Sequence, residues 1–288
     1  MQPVSAPWAA LPQLDTHDPE AVGAYVRRIF EQLFPGSDSS FITRRFRNLA
    51  EMFAGYYVGF QAMDTLYHDL EHTLQATVCM VDLMRGREDH GEAPPLTADD
   101  FNIGLLAIML HDLGYLKREG DTEGTGAKYT HIHEIRSCEH ARAYLHRRDW
   151  PESAIVAVEN LIRCTGPRSS IAAIPFQNAT EKRLGQMVCT ADFIGQMSDP
   201  RYVEKLPVLY REFVESYDFQ GLGMNERPFA NYEDLLAKTP GFYDNFVIPR
   251  MEKDCGGVWH FLDDPATGRN PYREAVEANI AQVRELVA

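Results

Sequence analysis

The sequence has no surplus of positive charge. Its 288 residues include 28 Lys+Arg and 42 Asp+Glu, a formal net charge of −14 at pH 7. A protein that grips nucleic acid usually neutralises phosphates with a basic stripe. No bulk nucleic acid is therefore expected as a partner, and no anionic membrane surface. Long apolar runs are missing as well, and nothing approaches the ~20 residues of a membrane-spanning helix. The N-terminus shows no basic region followed by an apolar stretch, so no signal peptide is expected. Cysteine is scarce: Cys79, Cys138, Cys164, Cys189 and Cys255 are scattered and form no CxxC pair. That argues against a disulfide framework or a cysteine-held zinc, and a reducing, cytoplasmic location is the expectation. Internal repeats, low-complexity tracts and runs of alternating strands are also lacking.

What is present is ordinary material for a helical core, with 44% hydrophobic and 24% charged residues. Residues 1–18, with three prolines, read as an irregular lead-in. Asp18-Pro19-Glu20 reads as a helix start, and Val22, Tyr25, Val26, Ile29, Phe30 and Leu33 follow at helical spacing. Further helices are expected over 41–53, 70–84 and 97–110, the last with Thr97 as its cap. More are expected over 130–147, 151–163, 181–198, 202–217, 232–238, 243–253 and 272–287. Residues 114–130, rich in Gly, Thr and charge, read as an exposed loop. The fold class is all-α, and residues 19–288 are expected to form a single domain.

Ten histidines carry most of the chemical information. His68 and His72 are four apart, which puts them on one face of a helix, where two imidazoles can address a shared metal or its bound water. His111-Asp112 closes the apolar run Ile103–Leu110. A carboxylate at the edge of a core is costly unless a cation compensates it, and imidazole beside carboxylate suits Zn, Mn, Fe or Mg. Asp192 interrupts the small and apolar run Val188–Ile194. In Thr130–His140, His131 shares a helix face with Ile135 and Cys138 and is expected to pack in the core. His133 is the better candidate for a metal. Each feature taken singly also admits a plainer reading, as solvated or core-satisfied polar residues.

Taken together, Tyr67-His68-Asp69-Leu70-Glu71-His72, His111-Asp112 and Cys189-Thr190-Ala191-Asp192 with Asp199-Pro200 resemble the signature of the HD superfamily of metal-dependent phosphohydrolases. The resemblance covers roughly residues 67–200 and is strongest with the cyclic-nucleotide phosphodiesterase branch. It implies a phosphodiesterase-like helical bundle with an HD core at about 64–200, additional N-terminal helices and a C-terminal helical extension, 201–288. By position it implies His72, His111, Asp112 and Asp192 as ligands of a first divalent metal. Asp112 would bridge to a second ion, held by His133, and His68 would be the general acid. Mn, Mg, Zn, Fe and Ni all remain open, as does the choice between one ion and two. The sequence also departs from the pattern. Tyr115 stands where the phosphodiesterases place the second histidine of His-Asp-x-x-His and the cyclic-dinucleotide branch a lysine. Glu159–Gly166 lacks a further histidine. These departures argue against cyclic-nucleotide and cyclic-dinucleotide substrates and against a trinuclear site.

The implied reaction is hydrolysis of a small phosphoester, a nucleotide among the options. Such a reaction needs a nucleophile, charge neutralisation and a proton for the leaving group. A histidine, with an unperturbed pKa near ~6.5, suits the last task. Lys117, Lys128, Arg136 and Arg163 lie nearest the motifs and are the candidates for phosphate contacts. Residues 119–129, with Gly120, Gly124 and Gly126, are a candidate lid. Glu71 is a candidate to orient a histidine, with an exposed role as the alternative. Two other functions fit the same residues: a di-iron oxygenase, and a non-catalytic sensing module that retains the metal. The aromatic-rich C-terminal helices would wall a pocket, form a homodimer surface or simply pack the core.

Overall fold

The computed structural model describes residues 14–288; most of the expected lead-in, residues 1–13, lies outside the described residues. The described chain is all-helical. Helix α1 (Pro19–Leu33) starts where Asp18 accepts a hydrogen bond from the Glu20 N–H, and it buries Val22, Tyr25, Val26, Ile29 and Phe30. Helix α2 (Ser40–Phe53) packs Ile42, Phe46, Leu49 and Met52 inward. Helix α3 (Leu70–Asp89) is buried on every side from Glu71 to Arg87, as befits the axis of the bundle. Helix α4 (Ala98–Leu110) opens with a reciprocal cap between Thr97 and Asp100. Next come α5 (His133–His146), α6 (Glu152–Ile162), α7 (Ala179–Met197), α8 (Tyr202–Gln220), α9 (Tyr232–Phe242) and α10 (Pro271–Val287). One apolar cluster runs from Val22 on α1 to Val283 on α10. No helix among the described residues is long and apolar enough to cross a membrane.

Three local expectations are corrected. The segment 243–253 is not a regular helix but two wider, π-wound turns, Tyr243–Val247 and Arg250–Asp254, on either side of Pro249; proline lacks the N–H that a regular helix would use there. The segment 114–130 is exposed only in its middle. Leu113–Tyr115 and Gly126–Tyr129 form short 3-10 turns whose residues are largely buried. His131 is exposed just ahead of α5, and His140 is the histidine in the core. His140 hydrogen-bonds the Leu113 carbonyl through Nδ1 at 2.8 Å and packs edge-on against Phe60.

Burial, aided by Arg136 and Arg118, pushes the His140 pKa down to about 4 against the helping pull of the Leu113 carbonyl. The folded protein thus holds His140 neutral, whereas the unfolded chain protonates it near ~6.5. Its contribution is complete above that pH and declines as the pH falls toward 4. Linkage puts the loss at about 2 kcal/mol between pH 7 and pH 5, approaching about 3 kcal/mol at pH 4. Urea titrations of wild type and His140→Asn over this range check it: the variant should lose less stability on acidification by that amount.

Candidate metal centre and cleft

Four elements deliver the candidate ligands to one point. Asp69 caps α3 by accepting from the His72 N–H at 2.9 Å, which sets His72 in the first turn. His68 precedes this cap, so the two histidines do not share a helix as their spacing predicts. His111 ends α4, Asp112 follows it, Asp192 projects from α7 and His133 begins α5. His72 Nε2 lies 3.1 Å from Asp112 Oδ2 and 3.5 Å from Asp192 Oδ1. His111 Nε2 lies 3.2 Å and 3.4 Å from the same two atoms. The other oxygen of Asp112 faces His133 Nε2 at 3.8 Å.

His72, His111 and Asp112 are 3%, 1% and 2% exposed. Their Nε2 and Oδ2 atoms are buried, yet none makes a geometrically sound hydrogen bond. Three such orphans are costly unless something else satisfies them. His111 Nδ1 sits 2.7 Å from the Ile108 carbonyl and His133 Nδ1 2.7 Å from that of Thr130. Donation there leaves each Nε2 with a lone pair, the tautomer a metal ligand needs. These donors, two or three imidazole nitrogens and two carboxylates, fit a divalent cation. Electrostatics agree: burial alone would push His72 down, but Asp112 and Asp192 hold it up at about 9. Asp112, despite its burial, is held well below the usual carboxylate range by His111 and His72. Carboxylates that keep protons on buried imidazoles can hold a cation in their place.

Beside the cluster, His68 Nδ1 meets Glu212 Oε2 at 2.6 Å. Glu212, on α8, also accepts from the Leu66 and Tyr67 N–H groups at 2.8 and 2.6 Å. Burial works against its charge, but His68 and these donors prevail and lower its pKa. The sequence reading missed Glu212. Its signal was spacing: with Leu209, Phe213 and Ser216 it shares a face of α8 that looks inward. Tyr115 fills the space between two histidines, its ring stacked on His68 (4.5 Å, 16°) and on His133 (4.9 Å, 15°).

The cluster forms the polar end of a cleft of about 420 Å³ bordered by His68, Asp112, His133 and Asp192 at one end and aromatic side chains beyond. None of the four expected phosphate-binding bases borders it. Lys117 is spent on Asp64 (2.9 Å) and the Gly124 carbonyl, and Lys128 on Asp121 and the Glu123 carbonyl. Arg136 donates to the Gly114 and Leu116 carbonyls, and Arg163 contacts Asn160 on the surface. The loop after Asp112 folds back and engages its own Lys117 and Lys128, and its carbonyls take the Arg136 donors from α5. The cations that do border the cleft are Arg168 and Lys238. Glu71 neither orients a metal-side histidine nor lies exposed: Arg201 and Lys205 pair with it.

The expected lid is pinned. The Gly126 N–H donates to Asp64 at 2.7 Å, and the Thr125 hydroxyl to Glu215 at 2.6 Å. Gly126 serves close approach, since a Cβ there would stand 2.0 Å from the Tyr115 carbonyl oxygen. Gly114 is tighter still. Its Cβ would stand 1.9 Å from the His133 carbonyl oxygen and 2.8 Å from Ser137 Oγ, which accepts the Gly114 N–H. Gly114→Ala must therefore push α5, and His133 with it, away from Asp112. The expected cost is about 3 kcal/mol, the upper end for overpacking, read as a lowered urea midpoint with unchanged m-value.

Comparisons with known proteins bear on the fold. Residues 152–283 match a family model described as Npun_R2479-like. That span holds Asp192 and Glu212 but not His72, His111 or Asp112. No curated protein matches the chain in sequence. In three dimensions it is similar to the phosphodiesterase domain of the RhoPDE fusion protein from the choanoflagellate Salpingoeca rosetta. The TM-score is 0.61 at 15% identity, with 98% of each chain covered. The chain has the fold of that domain. A second crystal structure, of the phosphodiesterase domain of Salpingoeca rosetta rhodopsin phosphodiesterase, gives 0.59 at 15% identity, covering 98% of this chain and 95% of that one.

Proposed function

We propose that the protein is a divalent-metal phosphohydrolase acting on a small phosphoester. The observation that carries this reading is the convergence of three orphaned buried ligand atoms, on His72, His111 and Asp112, at the polar end of a cleft. The phosphodiesterase-like fold supports it. His72, His111, Asp112 and Asp192 would hold a first ion, and Asp112 Oδ1 with His133 a second. A bound ion would make a water nucleophilic near neutral pH and neutralise charge on the phosphoryl oxygens. The chain's own residues do the rest. His68, held by Glu212, faces the cleft and donates the proton that the departing alkoxide requires. Tyr115 keeps His68 and His133 in fixed planes and closes the space between them to water. Arg168 at the rim attracts the anionic substrate.

Elemental analysis of protein purified without added metal, followed by a phosphate-release screen, tests the proposal. One or two divalent ions per chain with metal-dependent phosphate release is the expected result. Two irons with oxygen uptake and no phosphate release would overturn it in favour of an oxygenase. Bound metal with neither activity would favour a sensing module.

A further inference from the structure

The cleft walls bear on which alcohol the phosphate is attached to. Phe193, Phe213, Tyr217, Phe229 and Phe242, with Leu206, line the cleft beyond the polar end. Phe213 stacks on Phe229 (5.6 Å, 24°), and Phe242 is 42% exposed. Aromatic surface left open in this way is stabilised by an apolar body that covers it.

Most neutral polar side chains of the lining, phenols apart, are already engaged, the exceptions being the Gln220 side-chain oxygen and the Ser216 hydroxyl hydrogen. The hydroxyls of Thr130, Thr165 and Thr239 donate to the carbonyls of Ala127, Ile162 and Leu235. Gln196 accepts from the Tyr67 hydroxyl and gives its NH2 to Asp192. Gln220, at the exposed rim, gives its NH2 to Ser216. A nucleobase placed here would bury the donors and acceptors of its edge with few side chains to meet them, which is unfavourable. The Tyr115, Tyr202 and Tyr217 phenols border the cleft as well, the Tyr115 hydroxyl buried at the polar end without a partner, and they offer isolated contacts, not a matched edge. The cationic supply is equally lean. Lys238 is bound to Asp234 at 2.8 Å and to the Pro228 carbonyl, which leaves Arg168 as the unpaired rim cation among the described residues. That suits a single phosphoryl group and not a polyphosphate.

We infer that the substrate is a phosphoester of an apolar alcohol, alkyl or arylalkyl, with its phosphate at the His/Asp cluster and its hydrocarbon part along the phenylalanine walls. This rests on the phosphohydrolase reading above, but it is a statement about the cleft that binding tests without turnover. The probes are alkylphosphonates from ethyl to octyl, below their micelle-forming concentrations, and AMP, titrated calorimetrically into metal-loaded protein. Affinity should rise about three- to fourfold per methylene, and octylphosphonate should bind at least tenfold tighter than AMP, about one decade by the usual affinity scale. Phe213→Ser, or Phe242→Ser if the first fails to fold by circular dichroism, should flatten the series. A series already flat in wild type, or AMP binding as tightly as octylphosphonate, overturns the inference. Hydrolysis of octyl phosphate and AMP, both esters of primary alcohols, separates the two claims. Chain-length-dependent binding with no phosphate release from octyl phosphate would leave the cleft assignment standing and remove the hydrolase.

Discussion

Asp112→Asn is expected to strip the protein of its metal while leaving the helical fold in place. Asp112 sits between both candidate ion positions: Oδ2 lies 3.1 and 3.2 Å from the His72 and His111 nitrogens, and Oδ1 faces His133. The amide has almost the same shape but no charge, and one of its two positions becomes a donor. Whichever way it turns, an NH2 group points at a cation or at an imidazole lone pair. Changing a mere partner of a ligand typically costs ~10–100-fold in metal affinity, so loss of this shared carboxylate should cost at least ~100-fold. Two readouts follow. Elemental analysis should find less than about a tenth of the wild-type metal, given that loss of affinity. Added metal at 100 times its dissociation constant should stabilise wild type by about 2.7 kcal/mol and the variant not measurably. A variant that keeps full metal content would show that the cluster is a buried polar network and not a metal centre. Phosphate release should fall together with the metal.

Legibility of the sequence varied with the range of the interaction. Two helix starts were legible because caps are local: Asp18 and Thr97 each accept from an N–H two or three residues on, whereas the Asp69 cap that divides His68 from His72 went unread. The convergence of His72, His111, Asp112 and Asp192 could be suspected, because carboxylates and imidazoles interrupting apolar helices must be compensated. What lay beyond the motifs was set by long-range folding. Glu212 reaches His68 across 144 positions, and Lys117 is lost to Asp64 across more than 50. The exposed loop expected over 114–130 failed for a related reason. Its glycines speak for flexibility in composition, yet Gly114 and Gly126 are there because backbone carbonyls press against them. The acidic surplus also changes meaning. Part of the charge that argues against polyanionic partners lies in Asp112 and Asp192, where bound cations would neutralise it.

The remaining large effect concerns His68 and the carboxylate behind it. His68→Gln should leave metal content unchanged, because the imidazole belongs to the Glu212 pair and not to the cluster of orphaned atoms. Phosphate release from an alkyl ester should fall ~10²–10⁴-fold, the usual worth of a positioned proton donor. The loss should depend on the leaving group. An alkoxide needs a proton as the P–O bond breaks, whereas p-nitrophenolate departs without one, so the aryl ester should be affected far less. Glu212→Gln tests the same dyad from the other side. The amide still accepts the Leu66 and Tyr67 N–H groups through its oxygen, but it turns an NH2 toward His68 Nδ1, where a charge once held the ring's proton. A drop of ~10–100-fold in turnover of the alkyl ester is expected from this loss of orientation, again with the metal retained and the aryl ester nearly spared. If both variants slow aryl and alkyl esters equally, His68 is not the proton donor. If they lose metal, His68 is a ligand, and the cluster extends further along the cleft than the orphaned atoms indicate.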